Sequence, residues 1–254
     1  MGTARSAQVA SSPEDARARA QELHRLRGEI SRMQRRRSDA PLLPVPTALE
    51  PLLPDGGLRV GSSYSISPSP SLLGALLSAS SQRGSWCAVI GMPTLGVEAM
   101  ADLGVSLDRL ILVPEPGARW LSIASSLSEV VPLVAVHPRS RVSDAEISRV
   151  NARLRDRAST LLVTAAWPQA EAAIRIERTE WLGLGSGWGL LSERIVTLSA
   201  AGRRLQQPRR VQVRLPDALG SVTAAPVEQS RLRAVQTAEA SELRTRPGLW
   251  AVAG

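Results

Sequence analysis

Two glycine-bearing stretches have the spacing to do phosphate chemistry, and neither has the context for it. Gly56-Gly-Leu-Arg-Val-Gly61-Ser-Ser63 spaces its glycines like a phosphate loop, with Ser62 in the lysine slot. It precedes an apolar strand, whereas a working loop follows one and opens a helix, so it reads as a turn. Gly183-x-Gly-x-Gly-x-Gly189 departs from the dinucleotide pattern G-x-G-x-x-G and leads into a strand. Trp181 and Trp188 flank it, either as stacking platforms for bases or as a pair packed across a hairpin.

Nucleophiles and metal ligands are equally sparse. All 31 basic residues are Arg, which removes a Schiff-base lysine, an S-x-x-K nucleophile and a phosphate-loop lysine. The two histidines, His24 and His137, are far apart in sequence and lack Cys support, so no metal site is expected. Cys87 is the single cysteine, inside an apolar run, and reads as a small core residue. No G-x-S-x-G elbow occurs. Catalytic residues, cofactor and metal are therefore all expected to be none.

Charge points to the ends of the chain. Of the net +8, residues 1–37 carry +5, residues 38–202 carry −2 and residues 203–254 carry +5. Basic ends suit nucleic acid or an acidic partner surface, or simply keep the ends solvated. Candidate DNA contacts are Arg35, Arg36 and Arg37, and the pairs Arg203–Arg204 and Arg209–Arg210. A polar start and no apolar run near the ~18 residues of a membrane span place the protein in the cytoplasm.

The elements that must position these residues fall into four segments: 1–37, 38–54, 55–215 and 216–254. Residues 14–37 read as a basic amphipathic helix with a seam of Leu23, Leu26, Ile30 and Met33, suited to docking. Residues 38–54 hold five prolines and read as an extended linker. The core then alternates. Strands are expected at Tyr64–Ser67, Trp86–Gly91, Leu110–Val113, Leu133–Val136 and Thr160–Ala165. Helices are expected at Pro70–Arg83, Thr94–Leu103, Ala118–Val130 and Ser143–Ala158. Three further strands follow, at Ala173–Glu180, Arg194–Leu198 and Arg210–Leu215, and then a basic C-terminal tail in which Leu249 and Trp250 are candidate anchors.

This order resembles the RecA core: an α/β fold with a mainly parallel sheet flanked by helices, antiparallel strands at its C-terminal end, plus an N-terminal helix. The resemblance covers roughly residues 52–215. It is carried most clearly by Trp86-Cys-Ala-Val-Ile90, Leu103-Gly-Val-Ser-Leu-Asp-Arg-Leu110 and Pro114-Glu-Pro-Gly117. Ala166-Trp-Pro168 followed by Trp181-x-Gly-x-Gly-x-Gly187 is similar to the ImuA-type accessory proteins of actinobacteria.

Against the RecA pattern, three parts of the ATPase are missing. The phosphate-loop position is Ser67-Pro68-Ser69-Pro70-Ser71, without Gly or Lys and with two prolines removing amide donors. His137 stands at the Walker-B position. Ile90-Gly91-Met92-Pro93 lacks the carboxylate that would polarise water. The connections 138–142 and 167–170 are too short to resemble RecA's DNA-binding loops.

The resemblance implies a non-enzymatic adaptor in DNA-damage tolerance. Its partners would be an ImuB-type, Y-family polymerase homologue and, through it, an error-prone DNA polymerase, with possible DNA contact through the basic ends. A sequence-independent DNA-binding module and a nucleotide-binding ATPase with an atypical phosphate loop are the alternatives.

Overall fold

The computed structural model describes residues 41–183 and 193–225. The expected N-terminal helix with Leu23, Leu26, Ile30, Met33, Arg35, Arg36 and Arg37 lies outside the described residues. So do Trp188 and the candidate anchors Leu249 and Trp250.

Alternating strands and helices become two sheets. A two-stranded antiparallel ribbon pairs β1 (Leu42–Pro44) with β2 (Gly57–Arg59). The other strands are β3 (Ser63–Ile66), β4 (Cys87–Ile90), β5 (Leu110–Val113), β6 (Leu133–Val136), β7 (Thr160–Val163), β8 (Ala172–Leu182), β9 (Glu193–Gly202), β10 (Arg209–Arg214) and β11 (Thr223–Ala224). They form one nine-stranded sheet in the order β11-β10-β9-β8-β3-β7-β6-β4-β5. Contacts from β8 through β5 are parallel, and β8–β9, β9–β10 and β10–β11 are antiparallel. The helices are α1 (Pro70–Gln82), α2 (Val97–Asp102), α3 (Trp120–Leu127) and α4 (Asp144–Arg157).

Strand side chains alternate between two faces, and each face has its own core. Cys87, Val89, Leu133 and Ala135 pack with Leu72, Leu73, Leu76 and Leu77 of α1. Ala88, Ile90, Val134 and Val136 pack with Trp120 of α3 and with Ile147, Val150 and Leu154 of α4. Because both faces of β4, β6 and β7 are covered, β4 and β6 are continuous apolar runs and β7 is apolar after Thr160.

Capping residues set the helix ends. Ser69 accepts from the Leu72 amide at 3.4 Å, with Pro70 at the first helical position of α1. Ser143 and Glu146 form a capping box on α4. These hydrogen bonds hold the Glu146 carboxyl below its ordinary value. Helix α2 starts at Val97, later than the expected Thr94, and Met92–Thr94 instead make a turn closed by Leu95 N–H to Met92 O at 3.2 Å.

The expected linker is corrected. Residues 42–54 belong to the core unit, whose boundary falls after Pro41. Leu43, Val45, Leu49, Leu52 and Leu53 are buried. The prolines bracket a short strand and a 3-10 turn over Glu50–Leu52, where Pro51 occupies the first turn and its missing N–H costs nothing. Five buried aliphatic side chains, each stabilising by about 1.5–3 kcal/mol, outweigh the extended bias of the prolines. The expected tail also begins later, because residues 217–221 form a closed turn and β11 pairs with β10.

Candidate nucleotide-site remnant

The carboxyl ends of β3, β4, β6 and β7 converge on one pocket of about 250 Å³. This is where open parallel sheets bind ligands. Its lining brings together the three motif positions named from sequence: Pro68–Pro70 after β3, Gly91–Pro93 after β4 and His137 after β6. Thr94, Leu95, Arg139 and Thr164 complete it. Gly91 has φ +81°, a conformation that favours glycine, and its amide donates to Val113 O at 2.9 Å.

A phosphate loop works by leaving its amides free, and here four of the five between residues 67 and 73 are donated within the protein. The Ser67 amide donates to Ile174 O at 3.0 Å and the Ser69 amide to Ser67 O at 2.8 Å. The Leu72 amide donates to the Ser69 hydroxyl, and the Leu73 amide to Ser69 O at 3.0 Å. Pro68 and Pro70 have no amide hydrogen. The Ser67 hydroxyl accepts from the Ile176 amide at 3.0 Å, so the loop is also tied to β8.

A cation does reach this loop, from an unexpected place. Arg194, near the start of β9, donates through Nη2 to the Ser71 hydroxyl and through Nε to Leu215 O at 2.6 Å. Its guanidinium stands over the Trp181 ring at 5.4 Å from the centroid. Burial lowers its pKa from the ordinary arginine value. Trp181 is half exposed, and its cross-strand partner is Arg194. No sequence signal marked Arg194, because it lies 123 residues from Ser71.

At the Walker-B position, His137 Nδ1 lies 2.8 Å from Thr164 Oγ1. The Thr164 hydroxyl is also within hydrogen-bond reach of Val136 O, at 3.3 Å. Among the described residues, no group of three or more His, Cys, Asp or Glu could hold a metal ion. Cys87 is buried, and burial pushes its thiol pKa up to about 12.

Three of the four candidate DNA-contact arginines on the described residues are held by intramolecular contacts. Arg204 Nη1 lies 3.0 Å from Asp55 Oδ2. Arg209 Nη1 donates to Leu53 O at 2.7 Å and Pro51 O at 3.3 Å. Arg210 Nε pairs with Glu177 Oε2 at 2.8 Å, lowering the Glu177 pKa. Arg203 is exposed. Among the described residues, no helix is long and apolar enough to cross a membrane.

Comparisons with known proteins agree with this architecture. The RadB recombinase structure superimposes with a TM-score of 0.50 at 16% identity, covering 70% of this chain and 97% of RadB. The fold is RecA-like. The flagellar accessory protein FlaH of Methanocaldococcus jannaschii aligns with a TM-score of 0.49 at 12% identity, over 74% of this chain and all of FlaH. Residues 51–169 match the MT3502 N-terminal domain family. The uncharacterized protein Rv3395c of Mycobacterium tuberculosis is 33% identical over 116 residues, which are 44% of this chain and 57% of that protein. The chain thus spans little more than half the length of this curated relative.

Proposed function

We propose that this chain is a non-catalytic RecA-like adaptor in DNA-damage tolerance. In this reading it supports error-prone translesion synthesis by binding an ImuB-type, Y-family polymerase homologue. The observation that carries the non-catalytic part is the amide accounting of residues 67–73. A triphosphate requires free backbone donors and a cation aimed at the phosphates. Here four of the five backbone donors of residues 67–73 are committed to internal acceptors, and Arg194 serves Ser71 and Leu215.

Support for the partner comes from the ImuA-type resemblance. The committed state of Arg204, Arg209 and Arg210 weighs against the generic DNA-binding alternative, which relies on free guanidiniums.

The test is co-purification of the full chain with the Y-family homologue, beside a thermal-shift titration with Mg-ATP. Adaptor function predicts a stable complex without nucleotide and no ATP stabilisation. For scale, a ligand at a hundredfold its Kd would raise stability by about 2.7 kcal/mol. ATP turnover by the purified chain, or failure to retain the homologue, would overturn the reading.

A further inference from the structure

We infer that the open edge of the nine-stranded sheet is a self-association surface: strand β5 pairs antiparallel with β5 of a second copy of this chain, about a two-fold axis at Leu112. This goes beyond the adaptor reading and does not depend on it.

Backbone direction comes first. β5 is the last strand of the sheet and pairs only with β4. The Gly91 amide donates to Val113 O at 2.9 Å, so Val113 turns its backbone polar groups toward β4. Successive strand residues alternate in this direction, so Ile111 also points inward, while Leu110 and Leu112 point off the edge. The Leu110 amide is already used, donating to Leu107 O in the preceding 3-10 turn. Leu112 therefore presents both an N–H and a C=O outward.

The edge also lacks the usual protection. Proteins blunt exposed edges with charged residues, prolines, bulges or very short strands. At the other edge, β11 is only two residues long. β5 is Leu110-Ile-Leu-Val113, paired in regular register, with no charge or proline in it. Leu112 is 37% exposed, and Trp86 and Leu107, beside the amino end of the strand, are exposed as well.

Charge and register select the occupant. Arg109 precedes β5 and Glu115 follows it, each three residues from Leu112. Both are exposed, and neither forms an ion pair among the described residues. An antiparallel copy with Leu112 opposite Leu112 sets each Arg109 across from the other copy's Glu115. The two Leu112 residues then exchange both N–H···O bonds, and their side chains meet on one face. Residues can face each other only if both turn outward or both turn inward, so the neighbouring self-pairings lose these contacts. With Ile111 opposite Ile111, Arg109 meets Val113; with Val113 opposite Val113, it meets Gly117. A strand with one positive and one negative end is complementary to its own reverse.

The test is sedimentation of the full chain, with cysteine cross-linking. The wild type should pass from monomer to dimer, and no further, as concentration rises. Leu112→Lys should remove the dimer and leave the far-UV circular dichroism unchanged, because that side chain is exposed. Arg109→Glu should weaken the dimer about tenfold, since two attractive pairs become repulsive, and adding Glu115→Arg should restore it. Under oxidised glutathione, Leu112→Cys should form a disulfide dimer faster than Leu107→Cys. The Cα atoms of a hydrogen-bonded antiparallel pair lie about 5.5 Å apart, within the ~4.4–6.8 Å that a disulfide spans. The native Cys87 is buried, which keeps the background low.

A chain that stays monomeric at every concentration overturns the proposal. So does a dimer that survives Leu112→Lys, an assembly that grows beyond two copies, or a charge swap that fails to restore association. Leu112→Cys cross-linking no faster than Leu107→Cys overturns it too, because the axis would then lie elsewhere.

Discussion

A Cβ placed on Gly91 would stand 2.7 Å from the carbonyl oxygen of His137. The two residues follow adjacent parallel strands, β4 and β6, and the His137 amide donates to Ile90 O at 2.9 Å. Their close approach forms one wall of the pocket. Gly91→Ala combines this contact with a side chain at φ +81°, so it should destabilise by at least ~2 kcal/mol in urea unfolding. A change below about 0.5 kcal/mol would show that the two strand ends are not this close.

Arg194 ties β9 to the start of α1 and to Leu215. Arg194→Met keeps much of the stem and removes charge-assisted hydrogen bonds, each worth roughly 1.5–3 kcal/mol. The expected loss in unfolding temperature is about 4–10 °C for a chain of this size. Calorimetry of the variant checks it. An unchanged transition would mean that the guanidinium does not clamp the loop.

Arg209 and Arg203 should separate in the same assay. Arg209 anchors the 3-10 turn to β10 through the Leu53 and Pro51 carbonyls, while Arg203 is exposed. Arg209→Ala should cost about 1–2 kcal/mol and Arg203→Ala less than about 0.5. If both are neutral for stability and both weaken DNA binding equally, the structural assignment of Arg209 is wrong.

Two surface carboxylates should shape the acid limb of stability. Glu146, hydrogen-bonded to Ser143, and Glu177, hydrogen-bonded to Arg210, both have pKa values below the ordinary 4.5. A carboxylate with a lowered folded pKa contributes fully above its unfolded value and loses that contribution as pH falls through the folded one. The gap between wild type and Glu146→Ala should therefore be constant near neutrality and narrow below about pH 4.5. Urea midpoints at pH 7 and pH 3 measure it. A gap that widens in acid contradicts the capping geometry.

Much of the fold was legible because local pattern and burial coincide. Leu110–Val113 and Leu133–Val136 were placed to the residue, since short apolar runs between turns have few other solutions. Residues 42–54 were not legible: proline density signals extension, and only packing reveals that the leucines between the prolines are core. Strands β8 and β9 ran longer than expected, with β9 reaching Gly202, because pairing partners extend a strand beyond its apolar stretch.

The same division holds for the site. Residue types alone showed which groups of the RecA pattern are missing: the sequence has no lysine, position 67–71 has no glycine, and no carboxylate stands at 90–93 or at 137. What occupies their place was decided by tertiary structure. Amide direction, the pairing of His137 with Thr164 and the reach of Arg194 to Ser71 depend on partners far along the chain, and sequence spacing carries no information about hydrogen bonds between strands that meet only in the folded sheet.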